Sequence, residues 1–339
     1  MSDDLRSILL EQVDRLLADR SGPAVLRAAE RGEWPAALWD EAEALGLPRA
    51  LVPEAMGGAG LGWEDAVAVW QVLGRHGAPL PLAGSMAAAA LLASAGIAPP
   101  AGVIALGVPG EAVPWGRRAG HLATVDATGQ VALHGAAGLE WRHGRDLIGR
   151  EPADHPRLGA PLALAPQPDG AEAALLAGAL MHAAQIAGAL EAVLDMTVDY
   201  ANTRRQFGRP IGAFQAVQQQ LAQAAGEVAA AGVAVAHAGR AAARRGLAGA
   251  AFEIAGAKVV TGEAGGTCAA VAHQVHAAIG FTDEHPLHLH TRRIWSWRDA
   301  CGAERVWARR IGQAALARGG AALWPDLTAR EETAREESA

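Results

Sequence analysis

The chain has 339 residues, of which 51% are apolar and 19% charged, with a formal net charge of −7 at pH 7. At ~150 residues per domain this length allows two or three domains around a sizeable core. The acidic balance, with no basic tract longer than two adjacent arginines, excludes the electrostatic footprint of a nucleic-acid binder, and two cysteines without a CxxC exclude a disulfide framework or a thiolate metal motif.

Alanine supplies 82 residues, which favours helix because alanine loses no side-chain entropy there. The opening MSDDLRSILLEQVDRLLADR is acidic and amphipathic, unlike a signal peptide. Leu5, Ile8, Leu9, Val13, Leu16 and Leu17 recur at helical spacing. Breaks fall at Ser21-Gly22-Pro23 and at the glycine run 57–62, whose G-G-x-G-x-G spacing misses the dinucleotide fingerprint and reads as an interhelical loop. The most apolar stretch, Leu80 to Pro100, is alanine-rich and short of leucine and isoleucine; it reads as a packed helix, not a membrane span.

The middle zone changes character. Alternating runs from His121 to Asp126 and from Gln130 to His134 read as strands around an Ala127-Thr128-Gly129 turn. Long helices then return, predicted over 171–203, 213–246, 248–273 and 300–318. The expected division is a helical domain over 1–98, a reduced β domain over 99–168, a four-helix bundle over 169–325 and a charged tail over 326–339. The fold class is mostly α with a small β middle region, and a soluble cytoplasmic protein with no membrane partner is expected.

Two segments carry more specific information. YANTRRQFGRPIGAFQAVQ over 200–218 and QVHAAIGFTDEHPLHLHTRR over 274–293 resemble bundle motifs of the acyl-CoA dehydrogenases, R-x-Q/T-F-G-x-x-I and Q-x-x-G-G-x-G-F-x-x-E-x-P. LGLPRALVPEAMGGAGL over 45–61 resembles the first-domain loop of that family. The resemblance implies a helical domain, a β domain and a C-terminal bundle, with FAD between the last two and a neighbouring subunit completing its site. It places Arg204, Gln206 and Phe207 where residues reach across to the FAD pyrophosphate and adenine end; an arginine fork suits phosphate. Gln274 and Ala278 fall on the adenine side. Here the chain departs from the pattern, because Ala277 and Ala278 replace the paired glycines and add methyls where backbone would approach the cofactor.

The family's reaction needs a carboxylate within reach of the α-proton of a thioester. The resemblance offers two positions for that glutamate. One lies fifteen residues after Pro286 and is Cys301; the other lies twenty-five before Thr203 and is Gly178. Neither can act as base, which leaves Asp299 and Glu304 as substitutes near the first position. Around them, Ser296 to Glu304 reads as a salt-bridged helix start. The family's T/S-E-P-x-A-G-S-D and W-I-T/S stretches are missing between residues 99 and 170. His285, His288 and His290 lack the partners of a zinc site, so no metal is expected.

These gaps are similar to those of the shortened second subunit in α2β2 acyl-CoA dehydrogenases of bacterial steroid side-chain degradation. That likeness implies a flavoprotein oxidoreductase whose homologous catalytic subunit supplies the base, with an acyl-CoA substrate and an electron-transfer flavoprotein as acceptor. Two other readings stay open: a homo-oligomeric dehydrogenase with a displaced base, and a structural subunit without FAD.

Overall fold

The computed structural model describes residues 3–328; the expected charged tail lies outside them from residue 329 onward. Five helices come first: α1 (Asp3–Arg20), α2 (Pro23–Glu30), α3 (Ala36–Ala44), α4 (Trp63–Arg75) and α5 (Leu82–Ser94). The Gly22-Pro23 break separates α1 from α2, with proline in the first turn of α2, where its missing N–H costs nothing. The glycine run leads into α4, whose first turn is closed by Gly62 N donating to the Asp65 carboxylate at 3.2 Å. All of α5 except Gly84 and Ser94 is buried, because it lies beneath a sheet.

That sheet has the order β1-β3-β4-β7, from Ile104–Gly107, His121–Val125, Gln130–Gly135 and Ala163–Pro166. The predicted hairpin is β3–β4, paired from His121↔Gly135 to Val125↔Val131. Its turn is held by the Asp126 carboxylate, which accepts from the Thr128 and Gln130 amides. A second sheet, β2-β6-β5, joins Val113–Pro114, Ala153–Leu158 and Leu139–Arg142.

The remainder is helical: α6 (Ala173–Thr203), α7 (Gln215–Gly249), α8 (Ala251–His276), α9 (Leu287–Asp299), α10 (Glu304–Arg318) and α11 (Gly320–Thr328). A break at Gly246 (φ 71°, ψ 174°) interrupts α7 where the sequence separates two predicted helices. Helices α6, α7 and α8 pack on one another, α9 lies against α6 and α8, and α10 lies against α8. Helix α4 crosses α6 at close range: a Cβ on Gly188 would meet the Gln71 carbonyl, and one on Gly74 the Gln185 backbone. Both α6 and α7 are long and apolar enough to span a membrane by composition, but 94% of the apolar window of α6 is buried in the bundle.

One expectation is corrected. The segment from Ser296 to Asp299 ends a helix instead of starting one, and the turn after it precedes α10 at Glu304. Helix α9 escaped the hydrophobic pattern because polar His288, His290, Thr291 and Arg293 are buried among Leu287, Leu289 and Ile294.

Candidate functional site

A cavity of about 260 Å³ opens between the two sheets, α6 and the end of α9. Its walls include Leu80, Leu106, Val108, Met181 and Trp297. Gly178 and Cys301, the two positions at which the resemblance expects a base, both line it. They also meet: a Cβ built on Gly178 would lie 2.5 Å from Cys301 Sγ. The thiol thus fills the space a side chain on α6 would take. Burial pushes its pKa up to about 12, although the charge of Lys258 opposes this, so it is held as a thiol. Gly178→Ala is expected to cost about 1–3 kcal/mol by overpacking. A Cys301→Ala background should remove most of that cost in denaturant unfolding, and a cost unchanged there would refute the contact.

Of the substitute carboxylates, Asp299 lines the cavity. Glu304 sits outside the lining, gripped by Arg298 through Nε at 2.8 Å and Nη2 at 2.5 Å. That hydrogen-bonded pairing lowers the Glu304 pKa, which suits a helix-start ion pair better than a base. Glu111, which the sequence did not single out, also faces the cavity from the β1–β2 turn, as do Asp146 and Glu151.

The turn bearing Cys301 is fixed by the chain's single lysine. Lys258, 1% exposed, donates to the carbonyls of Trp297, Arg298 and Ala300 at 2.9–3.0 Å. It supplies the positive group that the C-terminus of α9 favours. Burial lowers its pKa to about 8. Its rarity among 29 basic residues was the only sequence signal of a special role.

Deeper in the cavity, His182 pairs through Nδ1 with Gln185 Oε1 at 3.0 Å. Burial, helped by the Lys258 charge, takes the His182 pKa down to about 3, so the ring is neutral. A far wall is built by Arg293, 2% exposed, which donates to Glu151 at 2.5 Å, to Leu289 O at 2.9 Å and to Glu30 at 3.4 Å. Arg292 closes on both oxygens of Glu30 at 2.6 Å. This network ties α2, the β5–β6 connection and α9 together.

The expected cofactor residues lie elsewhere. Helix α6 stops at Thr203, and Arg205–Gln206 (β8) pairs with Arg209–Pro210 (β9) as a ribbon. Phe207 and Gly208 form its two-residue turn, both with positive φ (52° and 80°), the geometry of a type I′ hairpin. The strained Phe207 is 90% exposed at the tip. The side chains of Arg204 and Gln206 are exposed and make no hydrogen bond within the described residues, while the Arg205 guanidinium reaches only Gly208 O at 3.5 Å. An exposed ribbon with unspent guanidinium donors fits the pyrophosphate end of FAD.

Gln274 and Ala278 are likewise exposed, the Gln274 side chain without a hydrogen-bond partner among the described residues. Ala277 holds φ 55° and ψ −140°, a region natural only to glycine. The backbone has kept a glycine conformation without its glycine. Tyr200, at the base of the ribbon, stacks on His276, so the two segments adjoin. Among the described residues no group of three or more His, Cys, Asp or Glu converges as a metal site would require.

Comparison with known proteins shows the family and the fold. Family models for the acyl-CoA dehydrogenase N-terminal and C-terminal domains match residues 3–98 and 169–316. The chain is 32% identical to acyl-CoA dehydrogenase IpdE2 of Mycobacterium tuberculosis, over 90% of this chain and 96% of that protein. Its fold is similar to a chain of the ChsE4-ChsE5 complex from Mycobacterium tuberculosis (TM-score 0.82, 26% identity, 94% and 99% coverage). It is also similar to a chain of the Tcur3481-Tcur3483 steroid ACAD G363A variant (TM-score 0.80, 27% identity, 91% and 97% coverage). A helical start, a reduced sheet region and a helical bundle with an RRQFG ribbon therefore identify the chain as a member of the acyl-CoA dehydrogenase family, flavoproteins that use FAD to oxidise CH–CH bonds of acyl-CoA thioesters.

Proposed function

We propose that this chain is the base-free subunit of a heteromeric acyl-CoA dehydrogenase, completing the FAD site of a homologous catalytic partner in an α2β2 heterotetramer. One observation carries the reading: Gly178 and Cys301 fill the two base positions, touch across the cavity wall and offer no carboxylate. The two similar solved structures named for paired proteins support it. The partner's carboxylate would take the α-proton, and bound FAD would supply the acceptor for the β-hydride.

This chain's share is binding and orientation. Arg204 supplies bidentate donors to the pyrophosphate, Gln206 and Phe207 reach the adenine end, and Gln274 and Ala278 approach it from the neighbouring segment. The domain division into 1–98, 99–168 and 169–325 belongs to the same proposal. So do a bulky, steroid-derived acyl-CoA substrate, an electron-transfer flavoprotein as acceptor and a cytoplasmic location. A second reading, a homo-oligomer with a displaced base, is favoured by Asp299 and Glu111 lining the cavity.

Co-expression with a longer homologous acyl-CoA dehydrogenase chain that carries the base glutamate tests both. The pair should copurify, show flavin absorbance and oxidise acyl-CoA, whereas this chain alone should do neither of the last two. Arg204→Ala should cut FAD occupancy of the pair at least tenfold. Stoichiometric FAD and turnover in this chain alone, abolished by Asp299→Asn or Glu111→Gln, would establish the second reading instead.

A further inference from the structure

The two segments that resemble cofactor-binding motifs come from different helices and are separated by more than fifty residues of sequence. Something must set their spacing. Between them lie three rings. Tyr200, the only tyrosine in the chain, sits in the last turn of α6 and stacks on His276 with centroids 4.5 Å apart and planes 21° apart. His285 closes the group, tilted on His276 at 4.5 Å and edge-on to Tyr200 at 6.1 Å.

Tyr200 and His276 sit on backbone that leads directly into the two segments, and the His285 ring is held at the start of α9. The Tyr200 carbonyl accepts from Arg204 N at 2.8 Å, the last hydrogen bond before the ribbon, and Arg204 O then accepts from Ile211 N at 2.9 Å. His276, 1% exposed, donates from Nδ1 to Ala272 O at 2.8 Å and immediately precedes the strained Ala277. His285 accepts at Nδ1 from Leu287 N at 3.2 Å, fixing the turn into α9. His276 Nε2 is buried without a partner, so stacking is what holds this side of the ring.

We propose that Tyr200, His276 and His285 are positioning residues: a three-ring clamp that fixes the 204–210 ribbon relative to the 274–278 segment, so that both present to one dinucleotide at a set separation. The proposal rests on the functional reading above. Face-to-face and edge-on pairs at these separations add stability beyond their burial, and three mutually touching rings resist sliding in two directions. Burial lowers the pKa of both histidines, with His276 adding to the effect on His285, which keeps the stack uncharged near neutrality.

The charged and titratable groups around the clamp are His273 on α8, Asp283 in the turn, His288 and Arg292 on α9, and Arg27 and Glu30 on α2. None forms a hydrogen bond to the three rings.

The test uses Tyr200→Phe, which keeps the ring, and Tyr200→Leu, which removes it, with His285→Leu as a second disruption. In this chain alone, amide exchange of residues 204–212 should quicken about tenfold in both leucine variants and stay at the wild-type rate in Tyr200→Phe. In the co-expressed pair, FAD release should quicken about tenfold with the same pattern. Equal ribbon exchange in wild type and Tyr200→Leu, or equal acceleration by Phe and Leu, would overturn the clamp. Should the wild-type pair hold no FAD, the functional reading falls and takes the clamp's positioning of a dinucleotide with it, while the exchange result still decides whether the rings hold the ribbon.

Discussion

Arg293→Met is expected to destabilise the protein by about 3–5 kcal/mol, the usual cost of leaving buried charges without their partner. The arginine is 2% exposed and faces two carboxylates, Glu30 at 3.4 Å and Glu151 at 2.5 Å. Desolvation raises the Glu151 pKa even with the guanidinium present; without it, Glu151 must take up a proton or unfold its surroundings. Arg292 still neutralises Glu30, so the damage should centre on Glu151 and on Trp115, whose indole N–H donates to the same carboxylate at 3.3 Å. At ~2–4 °C per kcal/mol for a chain larger than 150 residues, thermal unfolding should shift by roughly 10 °C. Adding Glu151→Gln should recover much of the loss, since a neutral amide in that place leaves no bare charge. A shift under 2 °C, or no recovery in the double variant, would show that the network is not bearing on stability.

The second large effect is acid sensitivity. His182 and His290 are both buried, and burial takes each pKa down to about 3, against about 6.5 when unfolded. A folded pKa below the unfolded one means that only the unfolded chain binds a proton between those values. Stability is therefore complete above pH 6.5 and falls as pH drops, by ~1.4 kcal/mol per unit for each ring. From pH 7 to pH 5 the two together should cost roughly 4 kcal/mol. His134, His273, His276, His285 and His288 are shifted in the same direction and steepen the fall. Urea unfolding at the two pH values measures it. His182→Gln and His290→Leu should each flatten the slope by about one proton, and a wild-type difference below 1 kcal/mol would contradict the burial of these rings.

The sequence was most legible where apolar periodicity was unbroken. Helices α6, α7 and α8 fall close to their predicted spans, and the β3–β4 hairpin announced itself by alternation and a turn. Helix α9 was illegible for a physical reason: its buried face interleaves Leu287, Leu289 and Ile294 with histidines and with Arg293, whose burial depends on Glu30 and Glu151 meeting it from distant parts of the chain. No local pattern encodes a partner more than 140 residues away. For the same reason Ser296–Glu304 read as a helix start; the Arg298–Glu304 pair was real but spans the gap between two helices.

The site shows the same division. RRQFG was visible because the motif is contiguous, yet its hairpin geometry, with Phe207 forced to positive φ, was not. Counting along the chain led to Gly178 and Cys301, but only folding shows that these positions, 123 residues apart, occupy one space. Glu111 was overlooked because a lone glutamate in a turn has no signature until the wall it faces exists.

Lys258 has a practical consequence. It is the only lysine in the sequence, and its amine lies buried against three carbonyls. The folded chain consequently offers no side-chain amine to acylating labels, to amine-directed cross-linkers or to enzymes that modify lysine. Cross-linking with such reagents will mark the lysines of whatever protein stands beside this chain and none of this chain's own side chains. Its neighbours in a complex must be mapped through carboxylates or arginines instead.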